Sequence, residues 1–181
     1  GDDIRFLLDS GADKVVINSH AYEEPSFLSD AASVFGSQCI VSSIDARKSG
    51  DRYQTMSECG ARVTGFEAAD WARHVEQLGA GEIFLTSINE DGRGNGYDLE
   101  LVRSIVDAVS IPVTLKMRLG WSLDHQNAVT IAQMAESLGV SLVTVHGRSR
   151  ACRFEGPVHY DRIRAVREAV SIPLLANGDI R

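Results

Sequence analysis

Two periodicities take turns along the chain. Stretches with apolar residues at helical spacing end in a glycine, and a short β-rich run follows at once: LLDSGADKVVIN, VEQLGAGEIFLTS and AESLGVSLVTVHG. Gly11, Gly79 and Gly139 fall where a helix closes on a left-handed residue, a conformation glycine adopts without a Cβ clash. A second echo, AVSIP, runs from Ala108 to Pro112 and again from Ala169 to Pro173; its proline stops one element and opens the next. With the run CIVSSID after PSFLSDAASVFGS, the chain holds six αβ units in strict alternation. Such alternation predicts a parallel sheet covered by helices.

The strands are expected near Lys14–Asn18, Cys39–Asp45, Glu82–Ser87, Val113–Arg118, Leu142–His146 and Leu174–Asn177, with helices filling most of the intervals. One interval departs from the rule. SGDRYQTMSECGARVTG is too long and too polar for a simple βα loop, and it predicts a small hairpin over the strand ends. Every apolar strand then finishes in polar groups: Asn18 and Ser19, Asp45, Asn89 and Asp91, Lys116 and Arg118, His146 and Arg148, Asn177 and Asp179. In parallel βα architectures, ligands bind beyond the carboxyl ends of the strands. At any one position the polar residue could simply mark where a strand meets water, but six in succession point to a functional rim.

Composition narrows the class. With 44% apolar and 24% charged residues over 181 positions, the chain has the balance of a globular domain, shorter than the roughly 250 residues usual for a complete (β/α)8 barrel. A single domain over residues 1–181 is expected. The net charge of -7 argues against nucleic acid as a partner, because that affinity comes from Lys and Arg releasing counterions. Cys39, Cys59 and Cys152 are widely spaced and odd in number, which suits a reducing cytoplasm and neither a zinc site nor a disulfide framework. No apolar run is long enough to predict a membrane span, and no charged-then-apolar leader opens the chain. The first residue is Gly, the first pattern is a helix and the last a strand, so both ends are expected to be cuts through a repeating fold.

Specific segments carry a resemblance to two families. From Gly1 to about residue 112, ADKVVINSHA, FGSQCIVSSIDARK, VTGFEAADWARHVEQLGAGEIFLTS and DGRGNGYDLELVRSIVDAVSIPV closely resemble the cyclase subunits of imidazole glycerol phosphate synthase, from histidine biosynthesis. Those are (β/α)8 barrels that join ammonia from a glutaminase partner to a bisphosphorylated substrate and close an imidazole ring, with two aspartates as acid and base. The resemblance makes Asp45 one of them, places Asn18 and Ser19 in one phosphate site, and places Asp91 and Gly92 in the other. The second aspartate belongs to a family strand not represented here. From residue 113 to 181, PVTLKMRLGW, VTVHGRSRACRFEG and SIPLLANGD resemble the middle strands of tRNA-dihydrouridine synthases, flavin enzymes that reduce a uracil ring. That resemblance implies flavin mononucleotide contacts from Lys116, His146 and Asn177, with Arg148 nearby on the cofactor or substrate side. It does not supply that family's catalytic cysteine, since Cys152 lies in the wrong motif, nor its phosphate-gripping loop, nor its helical tRNA-binding domain.

The expected fold is therefore α/β, a partial TIM-type barrel of about six parallel strands. The expected function is a chimeric or fragmentary scaffold, engineered or mosaic, with a residual rim for phosphate or a phosphorylated small molecule and no complete activity. Two alternatives stay open: a cyclase-type lyase completed by another chain, and a flavin mononucleotide-binding module. No cofactor is required by the first two. The bland readings stand beside these. Asp91 lies in the Gly-rich EDGRGNGYD, which can cradle an anion or simply turn; Lys116 and His146 could cap strands. His20, His74, His125 and His159 lack metal-ligand spacing and read as surface, while Trp71 falls on the apolar face of its helix and reads as core. Six strands do not close an eight-strand barrel, so the edge strands Lys14–Asn18 and Leu174–Asn177 are expected to pair with another copy.

Overall fold

A computed structural model of the protein describes residues 1–89, 97–152 and 155–179. Six parallel strands run in chain order across one sheet: β1 (Val15–Ile17), β2 (Ile40–Ser49), β5 (Glu82–Ser87), β6 (Val113–Arg118), β9 (Leu142–His146) and β10 (Leu174–Asn177). Among the described strands β1 pairs with β2 alone and β10 with β9 alone, so the sheet is an open, partial (β/α)8 barrel. The helices between them are α1 (Asp2–Asp9), α2 (Ser19–Glu23), α3 (Ser26–Phe35), α4 (Ala68–Gln77), α5 (Leu99–Val106), α6 (Ala128–Ser137) and α7 (Tyr160–Ala169).

Four of the six strands have the bounds expected from the sequence. β2 is longer because its end, Asp45–Ser49, also pairs antiparallel with β3 (Arg52–Ser57), which pairs with β4 (Arg62–Glu67). The expected hairpin is thus an arm grown out of a barrel strand. Its tight turn needs the positive φ of Gly50, at 62°. A second small ribbon, β7 (Gly120–Ser122) with β8 (His125–Gln126), has no counterpart in the sequence reading. Loop hydrogen bonds extend it, since Arg150 N donates to Gly120 O and Ala151 N to Trp121 O.

Strand periodicity sends alternate residues to opposite faces. Val15, Ile17, Ile44, Ala46, Ile83, Leu85, Val113, Leu115, Val143 and Val145 share the parity that meets the helices, and all are buried. Trp71 of α4 joins this core at 1% exposure and stacks on Tyr22, whose ring centroid is 4.5 Å away. Helix starts are set by side chains: Glu67 accepts from Ala69 N and Asp70 N to cap α4, and Asp98 accepts from Leu101 N to cap α5. The glycines of the three αβ joints take the expected left-handed φ, 101° at Gly11, 96° at Gly79 and 91° at Gly139.

The two AVSIP echoes are held by one device used twice. Glu76 of α4 accepts from Ser110 N, Ser110 Oγ and Ile111 N at 2.8, 2.5 and 3.1 Å. Glu136 of α6 accepts from Ser171 N and Ile172 N at 2.7 and 3.1 Å. Each carboxylate ties its helix to the backbone that starts the strand one unit further on. The Ser110 hydroxyl, then the two backbone amides, hold the Glu76 carboxyl below its ordinary value against a smaller opposing push from burial.

Glu76→Gln should cost roughly 1 kcal/mol in urea unfolding at neutral pH, the low end for bonds to a charged group because the site is half-buried. A carboxyl held low when folded contributes fully above its unfolded value and loses that contribution as pH falls through the folded one. The gap between the two proteins should therefore stay constant above the ordinary carboxyl value of 4.5 and narrow below it. A gap that widened on acidification would contradict this account of Glu76.

Candidate functional site at the strand ends

The other strand parity faces the concave side. Lys14, Glu82 and Thr114 lie at its N-terminal end, where Lys14 pairs with Glu82 and Thr114 Oγ1 donates to Glu82 Oε1 at 2.7 Å. Toward the C-terminal ends the register builds two rows. Asp45 is paired with Thr86; one residue beyond the paired Leu85 and Leu115, Thr86 comes beside Lys116, which pairs with Thr144. In the next row Arg118 pairs with His146, and His146 with Asn177. Asp45, Lys116, His146 and Asn177 thus share one face. With strands spaced about 4.8 Å apart, the backbones of Asp45 and Lys116, two strands distant, are roughly 10 Å apart.

Asn18 ends β1 and sits at the N-terminus of α2. Its Nδ2 donates to Ser43 O and to Asp45 Oδ2, each at 3.2 Å, so the amide fixes the carboxylate from the neighbouring strand. Ser19 Oγ donates to Asn18 Oδ1 at 3.2 Å and accepts from Glu58 N at 2.9 Å, linking this corner to the hairpin arm. Asp91 and Gly92 lie outside the described residues. On either side of them in the chain, Lys48 N donates to Asn89 Oδ1 at 2.6 Å, and Tyr97 Oη to Leu85 O at 2.5 Å.

On the β6–β10 side, Lys116 is exposed and Arg118 donates Nη1 to Ser149 O at 3.3 Å. His146 is 5% exposed, tucked so closely under Gly178 that a Cβ there would stand 2.8 Å from its Cδ2. Burial lowers the His146 pKa first, followed by the charges of Arg118, Lys116 and Arg148; Asp179 alone pushes it back up. Arg148 is a clamp between two loops, with side-chain exposure of 8%. Its Nε and Nη2 donate to Gly156 O at 3.0 and 2.8 Å, and its Nη1 and Nη2 to the Asp179 carboxylate at 3.3 and 2.5 Å.

Sequence reasoning missed a cluster where the arm meets α5. Tyr53 Oη donates to Asp98 Oδ1 at 2.7 Å, and Lys48 Nζ reaches Glu100 at 2.6 Å while lying over the Tyr53 ring. Burial, reinforced by Asp98, pushes the Tyr53 phenol up to about 12. The only hint in the sequence was a single aromatic residue in a polar hairpin. His20, His74 and His125 are exposed, His159 is half-buried, and no group of metal-ligating side chains occurs among the described residues.

An open βα barrel with polar rows at its strand ends defines a class, the (β/α)-barrel proteins that act at that rim. Comparison places the chain within it. Residues 1–115 match the family model described as histidine biosynthesis protein, and the chain belongs to that family. Residues 99–181 match the model of the dihydrouridine synthases, so the two matches overlap at the αβ unit of α5 and β6. A similar protein is the imidazole glycerol phosphate synthase subunit HisF of Alkaliphilus metalliredigens (strain QYMF), 46% identical over 142 residues, or 78% of this chain. The chain spans 56% of that relative's length.

The charges around His146 act in opposite senses, and each is separately testable. Asp179→Asn should lower the imidazole pKa and Lys116→Gln should raise it, both read from NMR titration of the ring protons. Shifts of the opposite sign would mean that these groups do not face His146 in solution.

Proposed function

We propose that the chain carries the carboxylate-bearing, phosphate-holding part of a cyclase-type site and does not turn over substrate alone. Asp45 is its acid/base, Asn18 and Ser19 hold one phosphate group of a phosphorylated small molecule, and Asp91 and Gly92 belong to a second phosphate site. The observation that carries this reading is the Asn18–Asp45 hydrogen bond across the ends of two adjacent parallel strands, which aims a carboxylate onto the concave face. Kinship with a histidine biosynthesis family supports it. Acid/base catalysis needs a second group across the site, and among the described residues the other carboxylate at the strand ends, Asp179 beyond β10, is engaged by Arg148. The second acid therefore comes from a complementary barrel segment. Three free thiols, at Cys39, Cys59 and Cys152, support a reducing, cytoplasmic setting. No helix among the described residues is long and apolar enough to cross a membrane.

Flavin mononucleotide binding is a second reading, favoured by the dihydrouridine synthase match over residues 99–181. The residues fit that cofactor poorly. Arg148 spends its donors on Gly156 and Asp179, and His146 is buried under Gly178, leaving Lys116 and Asn177 as ring contacts. A colourless protein that does not titrate with the flavin would remove this reading.

The open edges support self-association as part of the same proposal. Val16 and Leu175, on the concave parity of β1 and β10, are 57% and 55% exposed, and Phe6 of α1 is 71% exposed. The α1 helix carries Asp2, Asp3 and Asp9 against Arg5, whereas α7 before β10 carries Arg162, Arg164 and Arg167 against Asp161 and Glu168, so the first is net acidic and the second net basic by one charge. An α1–β1 unit of one copy is thus complementary in charge to α7–β10 of another.

Two measurements check these proposals. The pure chain should bind inorganic phosphate, more weakly by about tenfold in Asn18→Ala, and should show no cyclase turnover with ammonia until a complementary segment is added. Turnover by the chain alone would overturn the reading. In sedimentation velocity the protein should form oligomers that Val16→Asp dissociates; a strictly monomeric parent protein would overturn the edge-pairing proposal.

A further inference from the structure

Helix α2 is five residues long, too short to hold its place by its own hydrogen bonds. The hairpin arm holds it at three points. Tyr22 of α2 lies 6.4 Å from the ring of Phe66 on β4 and 4.5 Å from Trp71, which itself meets Phe66 at 4.8 Å. Arg62, at the start of β4, reaches Glu23 of α2 with Nη2 at 3.2 Å. The third point is the turn that joins β3 to β4. Gly60 N donates to Ser57 O at 3.1 Å to close it, and the two central residues, Glu58 and Cys59, take φ of 54° and 55°. Left-handed backbone is costly for residues with a Cβ, and neither is the Gly, Asn or Asp that such a turn favours. Fixed partners offset that cost: Arg47 Nη2 donates to Gly60 O at 2.9 Å, and Arg62 Nε donates to Ser57 Oγ at 3.2 Å and lies 3.3 Å from a Glu58 carboxylate oxygen. The turn so held directs the Glu58 N–H onto Ser19 Oγ.

From there the bonds run one way. Glu58 N donates to Ser19 Oγ at 2.9 Å, Ser19 Oγ donates to Asn18 Oδ1 at 3.2 Å, and Asn18 Nδ2 donates to Asp45 Oδ2 at 3.2 Å. Each donor in such a chain polarises the next. An Asn amide is nearly symmetric in shape but not in polarity, so the hydroxyl that meets its oxygen also keeps its NH2 group on the carboxylate.

We propose that the tip of the hairpin arm is a positioning device for Asp45: the Glu58 amide and the Ser19 hydroxyl orient the Asn18 side chain, and Asn18 orients the carboxylate. The first two act through Asn18, and Arg62 acts one step further back, by holding the turn. The catalytic meaning of this device rests on the reading of Asp45 as an acid/base, whereas the coupling from arm to carboxylate does not. It gives the arm a task at the strand ends, carried by main chain and by residues that themselves touch no reacting group.

The test is NMR on the full chain, following exchange of the Asn18 side-chain amide protons with water and the chemical shift of the Asp45 carboxyl carbon. Ser19→Ala should speed the Asn18 exchange by about tenfold, as for one lost hydrogen bond, and move the Asp45 carbon; Ser19→Thr, which keeps a hydroxyl, should restore both. Arg62→Gln, whose lost contacts are with Ser57, Glu58 and Glu23, should act in the same direction from the arm side. Cys59→Gly relieves the left-handed backbone but keeps the Glu58 N–H, and should leave both signals at their parent values. Unchanged Asn18 exchange in Ser19→Ala would overturn the proposal and leave the reading of Asp45 intact; so would an Asn18 response with none at Asp45. A Ser19→Ala response that threonine does not reverse, accompanied by shifts throughout β9, would mean general loosening and would also overturn it. If the signals respond as expected but Asp45→Asn retains cyclase turnover with the complementary segment added, the catalytic reading falls while the coupling stands.

Discussion

Register across the parallel ladder is the constraint on which the rest of the molecule depends. In a sheet with helices on one side, each strand's two parities have different fates, and a slip of one residue exchanges them. The pairings hold one parity from β1 to β10: Val15, Ile83, Leu85, Leu115, Val143 and Val145 face the helices, while Asp45, Lys116, His146 and Asn177 face the concave side. A slip at β6 alone would bury Lys116 under α5 and α6, where an unpaired ammonium is costly. It would also turn Leu115 and Met117 toward water. Core packing and the candidate site are therefore enforced by the same alternation.

That alternation crosses the region matched by both families. Residues 99–115 contain α5 and the start of β6, and Glu76, well before them, binds the backbone at Ser110 and Ile111. Glu136 binds Ser171 and Ile172 in the same way one repeat later. The shared element is thus a complete αβ joint, gripped from the preceding helix by a carboxylate that reads only main-chain N–H and one hydroxyl. Because such a grip depends on backbone position and little on neighbouring side chains, it tolerates a change of family across the joint. Continuity of Ile83 with Val113, and of Leu115 with Val143, then carries the core through.

What the sequence disclosed follows from which features are local. Strands bounded by Gly79, Gly139 and the two prolines of AVSIP were legible to the residue, because the stop signals are short-range and the β-rich runs lie between them. The arm was legible as a hairpin, yet its union with β2 was not, since Ala46 and Thr55 read the same whether the strand continues or breaks. The β7–β8 ribbon escaped because its support is distant: Gly120 and Trp121 are held by amides of Arg150 and Ala151. At the site, the shared face of Asp45, Lys116 and His146 follows from strand periodicity. The engagement of Arg148 with Asp179, and the burial of His146 under Gly178, depend on loops meeting in space.

The two halves of the rim contribute opposite charge, and the bonds that orient each decide how they combine. The cyclase-like segment supplies Asp45, steadied by the neutral amide of Asn18, while the segment beyond it supplies Lys116, Arg118 and Arg148. One intervening strand does not by itself keep opposite charges apart, since Lys14 before β1 and Glu82 on β5 pair across β2 at the opposite end of the face. With Thr86 of β5 between them, the backbones of Asp45 and Lys116 are about two strand spacings apart, near 10 Å. Asp45 is held toward Asn18 and Arg118 toward Ser149, so the two ends stay apart yet close enough for one small molecule to touch both. A face with a carboxylate at one end and cations at the other favours a ligand that is polar at both ends. The bonds of Asn18 and Ser149 that orient these charges, more than the intervening strand, confer that preference.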